Sequence, residues 1–210
     1  MLLETMNIGM LGTDCYIIAA GPGEEAAVID PAGDVKGIMA SLERSGLRCT
    51  AILCTHGHSD HIAGVGPLSG MVSAPVYIHK DDAGALASTR TRVLGLMGGV
   101  IASKPETIRH LEDGQEIEIG KLTLKVLHTP GHTPGSVSFY TPGYLFCGDL
   151  IFQGSIGRTD LRGGSIDALM RSVKEKVWVL PADTEILPGH GPATSIAAEK
   201  RHNPFLRGLG

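Results

Sequence analysis

Short apolar runs separated by turn-forming residues dominate the chain, with few long amphipathic stretches. Leu2–Met6, Cys15–Ala19 and Ala26–Asp30 read as strands, and Gly21-Pro22-Gly23 between the last two is a hairpin turn signal. From Asp34 to Ser45 the period changes. Val35, Ile38, Met39 and Leu42 fall on one helical face, and Gly46 follows where a left-handed cap is expected. Ala51–Cys54 and Pro75–His79 are two further strands, the second followed by a short helix from Asp81. The second half repeats the style. Ile117–Ile119, Leu122–His128, Ser136–Tyr140, Tyr144–Cys147 and Glu185–Leu187 read as strands, and Ile166–Val177 and Ser195–Arg201 as helices, the last capped by Thr194. Two strand-rich halves, each closing with helices, predict two packed sheets flanked by helices.

Between Asp82 and Asp113 the pattern loosens. GLMGGVIASKPE contains three glycines, a methionine and a proline, and long irregular segments in compact domains often serve function. The expectation is a lid over a site, with Leu94–Val100, including Met97, bordering the substrate.

The length, 210 residues, fits one domain spanning 1–210 with a substantial core. With 42% hydrophobic and 19% charged residues the composition is that of an ordinary soluble domain. A net charge of −4 argues against nucleic acid or an anionic membrane as partner, leaving a small molecule. MLLETMNIGM has neither a basic n-region nor a long apolar stretch, so a cytoplasmic location is expected. Cys15, Cys49, Cys54 and Cys147 show no CxxC spacing and mostly sit in strand-like runs, which predicts buried, reduced thiols.

Chemistry concentrates in loops that follow strands. Residues 55–61 read THGHSDH, directly after AILC. His56 and His58, two apart in an extended loop, can point to one centre. Asp60 and His61 open a helix and can face a second. Imidazole with carboxylate suits Zn²⁺, Fe or Mn²⁺. TPGHTPGS holds His132 between prolines and glycines, GDL places Asp149 after an apolar strand, and PGHG places His190 in a similar turn. His79, His110, His128 and His202 lack such context and read as surface or packing residues. Asp30, before Pro31, either supports a ligand from behind or is a strand-end turn residue.

THGHSDH, TPGHTPGS, GDL and PGHG, in this order over residues 55–191 and with TDCYII and AVIDPAG ahead of them, resemble the metallo-β-lactamase superfamily. The resemblance implies an αββα sandwich of the α/β class and two divalent metal ions, zinc first, with iron or manganese as alternatives. It assigns His56, His58 and His132 to one ion, Asp60, His61 and His190 to the other, and Asp149 to both, with Asp60 also catalytic. Within the superfamily, FQGSIGRTDLRGG at 152–164 looks like the substrate-lining loop of glyoxalase II-like hydrolases. That implies hydrolysis of a thioester such as S-lactoylglutathione by a metal-bridging hydroxide, since two cations sharing a water lower its pKa toward neutrality. Arg158 is the candidate anchor for a substrate carboxylate. The chain ends soon after His190, without the basic helical region that full-length glyoxalase II uses for glutathione, so the resemblance reaches the metals further than the thiol.

Other reactions use the same fold. A mononuclear-iron persulfide dioxygenase would use His56, His132 and Asp149, and it shares the GRTD sequence, whereas GSIGRTDL and PGHGP look more like the hydrolase branch. A lactonase is another alternative, and the N-terminus counts against a β-lactamase. A binding protein without activity would not require seven ligands.

Overall fold

The computed structural model describes residues 1–88 and 104–209. Strands β1 (Leu2–Ile8), β2 (Thr13–Ala19), β3 (Glu25–Ile29), β4 (Arg48–Leu53), β5 (Val76–His79) and β6 (Ile108–Leu111) form one sheet in sequence order. The first three run antiparallel, and β3 to β6 run parallel. The second sheet contains β7 (Glu116–Ile119), β8 (Leu122–His128), β9 (Val137–Thr141), β10 (Tyr144–Gly148), β13 (Glu185–Pro188) and β14 (Thr194–Ser195), in the order β14-β13-β10-β9-β8-β7. Its one parallel pair is β10 with β13. A separate hairpin, β11 (Ile151–Phe152) with β12 (Ser155–Ile156), follows β10.

Three apolar layers arise from strand alternation. Tyr16, Ile18, Ile29 and Leu53 of the first sheet meet Val126, Phe139, Phe146 and Leu187 of the second. On the outer face of the first sheet Cys15, Ile17, Val28 and Ile52 pack against helices α1 (Val35–Arg44) and α3 (Val65–Val72). On the outer face of the second, Leu145 and Ile186 pack against α4 (Ile166–Ser172), the π-helical turn Val173–Val177 that continues it, and α5 (Ile196–His202). The expected αββα sandwich is therefore observed. β2 feeds both inner and outer layers, which is why all seven of its residues are buried. The four cysteines are free and buried as expected, and burial pushes the Cys49 and Cys147 thiols up to about 12.

Helix α1 shows how local sequence sets an element. The Asp34 side chain accepts the Gly37 N–H at 3.1 Å. At the other end Gly46 takes φ 64°, its N–H bonds to Glu43 O, and Leu47 N–H reaches back to Leu42 O at 2.8 Å. The last helix differs from expectation in its cap. Ser195 Oγ accepts the Ala198 N–H, while Thr194 sits in β14 and donates its hydroxyl to Glu199. Helix α3 was not expected, because Gly66, Pro67 and Gly70 mask its period. Pro67 lies in the first turn, where no intrahelical N–H is lost. Of the predicted lid, Ala83–Ala87 forms a 3₁₀ turn and Ile108–Leu111 joins the first sheet. Leu94–Val100 lies outside the described residues.

Candidate metal centre

Parallel strands end on the same side, and the two sheets share that edge. β3, β4 and β5 deliver Asp30, His56 and the 79–82 turn there. β8, β10 and β13 deliver the His132 loop, Asp149 and His190. Helix α2 (Ser59–Ile62) begins just after His58 and presents Asp60 and His61 to the same space. All seven residues singled out in the sequence are thus brought together. His56, His58 and His132 offer ligand atoms within 4.8 Å of one another, and so do Asp60, His61 and His190. Asp149 lies between them. Its Oδ2 is 3.5 Å from His132 Nε2, and its Oδ1 is 3.4 Å from His61 Nε2 and 3.9 Å from His190 Nε2.

The ring orientations are set from behind. Thr55 donates its hydroxyl to Asp30 Oδ2, so the 3.0 Å contact at His56 Nδ1 is an N–H donated to the Thr55 oxygen. His61 Nδ1 donates to Asp30 Oδ2 at 2.9 Å, His132 Nδ1 to the Arg158 carbonyl at 2.8 Å, and His190 Nδ1 to the Gly12 carbonyl at 3.3 Å. Each of these four rings therefore turns its Nε2 lone pair inward. His58 Nδ1 sits 3.1 Å from His56 Nε2 and 2.8 Å from His132 Nε2. Lone pairs facing one another at such distances repel unless a cation or proton stands between them. On the other side the buried His61 Nε2 and Asp149 Oδ1 make no hydrogen bond. Three crowded ring nitrogens, orphaned buried atoms and an imidazole–carboxylate donor set fit divalent cations.

Electrostatics agree. Burial alone would raise the Asp149 carboxyl, but His61, His56 and His132 reverse that and hold it well below the usual carboxylate range. Burial and neighbouring His61 push His56 down. Burial also opposes charge on His61, yet Asp149 and Asp30 outweigh it and raise its basicity, so this pocket favours positive charge beside Asp149.

Asp30, left between two readings in the sequence, backs the His61 ring and the Thr55 turn. It is 1% exposed, has φ 49°, and accepts the Thr55 N–H at 2.7 Å besides its bonds to the Thr55 hydroxyl and His61. Contacts from β2 were not anticipated. Tyr16 donates its hydroxyl to Pro188 O, Asp14 its N–H to Gly189 O, and Thr13 its hydroxyl to Asp60 O. Only the early TDCYII match pointed there. His79 and His128 stack with ring centroids 4.3 Å apart, and His110 and His202 are exposed, so none of the four joins the cluster. Arg158 lines the cavity of about 360 Å³ over the cluster, together with His58, Asp60, His132, Asp149 and Leu11. Its guanidinium forks onto Asp160 at 2.9 and 3.0 Å.

Residues 8–190 match the metallo-beta-lactamase superfamily. The chain is 38% identical to the probable metallo-hydrolase YqgX of Bacillus subtilis, covering 100% of this chain and 99% of that one. It is 32% identical to hydroxyacylglutathione hydrolase GloC of Haemophilus influenzae, over 98% of each. Among solved structures it is similar to the BLEG-1 B3 metallo-beta-lactamase (TM-score 0.86, 38% identity, 99% and 100% covered). It is also similar to TTHA1623 in a di-iron-bound form (0.81, 36%, 97% and 100%). A third is ETHE1 from Myxococcus xanthus (0.77, 29%, 97% and 84%). With the family's histidines and aspartates gathered at one edge of its sandwich, the chain belongs to the metallo-beta-lactamase superfamily.

Proposed function

We propose that this chain is a binuclear metal-dependent hydrolase that cleaves a thioester of the S-lactoylglutathione type. The observation that carries the reading is Asp149. Its two oxygens face two different candidate ligand groups, His56/His58/His132 and Asp60/His61/His190, so one carboxylate would serve two cations. Zinc is the proposed metal. The di-iron-bound form of the similar protein TTHA1623 keeps iron as the competing identity. Bound in this way, the cations would supply Lewis acidity toward a carbonyl oxygen and lower the pKa of a water.

The chain's own groups do the remaining work. Asp60 lines the cavity with its Oδ2 3.5 Å from His190 Nε2, placed to accept a hydrogen bond from the attacking water and to orient it. Attack on the thioester carbon expels the thiol, a good leaving group that makes little demand for a proton donor. The likeness to a hydroxyacylglutathione hydrolase supports a glutathione-type thiol. Arg158 at the cavity wall supplies a guanidinium for its carboxylate, in exchange for Asp160. Both partners of that ion pair are exposed, so it yields readily to a competing anion.

A substrate screen tests the reading. S-lactoylglutathione, a neutral thioester, a lactone and glutathione persulfide are compared while oxygen is monitored. The expected result is thioester hydrolysis without oxygen uptake. Arg158→Ala should raise KM about tenfold for the carboxylate-bearing thioester with kcat little changed, and leave the neutral one unaffected. Oxygen consumption on the persulfide, with inert thioesters, would overturn the hydrolase.

A further inference from the structure

The two loops that carry the first ligand group come from different sheets. The 55–61 loop leaves β4, and the 129–136 loop leaves β8. A cation shared by His56, His58 and His132 needs these loops at a fixed separation, and bonds that do not involve the ligand atoms can hold them there. Direct backbone contact supplies one link, Val137 N–H to Thr55 O at 2.8 Å. Three further hydrogen bonds converge on one side chain.

Asp82 sits just after β5, at the head of the 3₁₀ turn Ala83–Ala87, and is 8% exposed. Its Oδ2 accepts the N–H of Gly57, the residue between His56 and His58, at 2.8 Å. The same oxygen accepts the hydroxyl of Thr133, the residue after His132, at 2.6 Å. Its Oδ1 accepts the Gly135 N–H at 3.2 Å. Thr133 is fixed in turn by Ser136 Oγ, which accepts the Thr133 N–H at 3.1 Å. The approach is close enough to exclude side chains on both loops. A Cβ at Gly57 would lie 3.0 Å from Asp82 Cβ and O, and one at Gly135 would lie 2.6 Å from Asp82 Cγ. The glycines of THGH and TPGS thus make room for Asp82.

We infer that Asp82 is a positioning residue for the His56/His58/His132 cation site, holding the His58 and His132 loops at the separation the cation requires. It touches no ligand atom and acts through the backbone beside each ligand. The second group, Asp60/His61/His190, is held by Asp30, Thr13, Gly12 and Asp14 instead, so the consequence of losing Asp82 is confined to one side of the centre. The inference rests on the two-cation reading above.

Cobalt(II) titration of the metal-free protein tests it, with bound equivalents and absorption followed together and heat unfolding recorded on the same samples. Wild type should take up two equivalents. Asp82→Asn, which keeps size but replaces one acceptor oxygen by a donor, should bind one equivalent as wild type does and the other about tenfold to hundredfold more weakly, as supporting residues around metal ligands typically do. Thr133→Val removes only one of the three bonds and should weaken the same equivalent by less, while Thr133→Ser, which retains the hydroxyl, should restore it. This graded series also decides the matter if the Asp82 variant does not fold. Two unweakened equivalents in Asp82→Asn or Thr133→Val would overturn the role of Asp82, as would equal weakening of both. Fewer than two equivalents in wild type would instead overturn the two-cation reading on which it rests.

Discussion

At Asp30 one carboxylate serves the fold and the site at once. It satisfies two donors of Thr55 and the Nδ1 N–H of His61, while its own backbone is held at positive φ. Asp30→Ala leaves the Thr55 N–H and His61 Nδ1 without partners in a buried place. At about 1–3 kcal/mol per orphaned donor, urea unfolding should show a loss of about 2–6 kcal/mol. Asp30→Asn separates the two roles. Asparagine tolerates the backbone conformation and can still accept from Thr55 N–H. Its NH₂ would face His61 Nδ1, however, forcing the proton onto Nε2 and occupying the lone pair turned toward Asp149. The Asn variant should therefore be more stable than the Ala variant yet lose the cation at Asp60/His61/His190. Full metal content in Asp30→Asn would refute this account of the His61 tautomer. The sequence pointed to the candidate ligands because histidines this dense have few other uses. Asp30 and Asp82 were far less legible. An aspartate ending a strand or opening a turn has an ordinary local explanation, and only the fold reveals that Thr55, His61, Gly57 and Thr133 lie within reach. Arg158 shows the same limit in another form: its backbone carbonyl, which no side-chain pattern announces, orients His132.

Elements with a clear period or a strong terminus were read correctly. The hairpin of β2 and β3 follows from Gly21-Pro22-Gly23, and α1 from its apolar face and Gly46. The last of these can be tested alone. Any L-residue other than glycine pays about 1–2 kcal/mol to adopt the left-handed conformation of Gly46. A Cβ there would meet nothing nearer than Gly23 Cα at 3.7 Å, so steric conflict adds little. Gly46→Ala should lower unfolding free energy by about 1–2 kcal/mol and leave metal binding unchanged, since α1 packs on the face of the sheet that supplies no ligand. An unchanged denaturation midpoint would contradict the C-cap role. Helix α3 and the edge strands β6 and β14 were missed for the opposite reason. They are short or rich in Gly and Pro, and packing on neighbours sustains them where local preference does not.

Across the whole molecule, both sheets terminate their site-bearing strands at one edge, and this turns candidate ligands as distant in sequence as His56 and His190 into neighbours. The two-halves pattern predicted the sandwich, while the family motifs supplied the convergence that periodicity alone did not contain. The central claim is that two cations share Asp149. Elemental analysis of protein expressed with added zinc, comparing wild type with Asp149→Ala, addresses it most directly. Wild type should reach a plateau near two equivalents per chain and the variant should lose metal at both sites, because Asp149 faces both candidate ligand groups. A wild-type plateau at one equivalent, or an Asp149→Ala protein that still holds two, would contradict it.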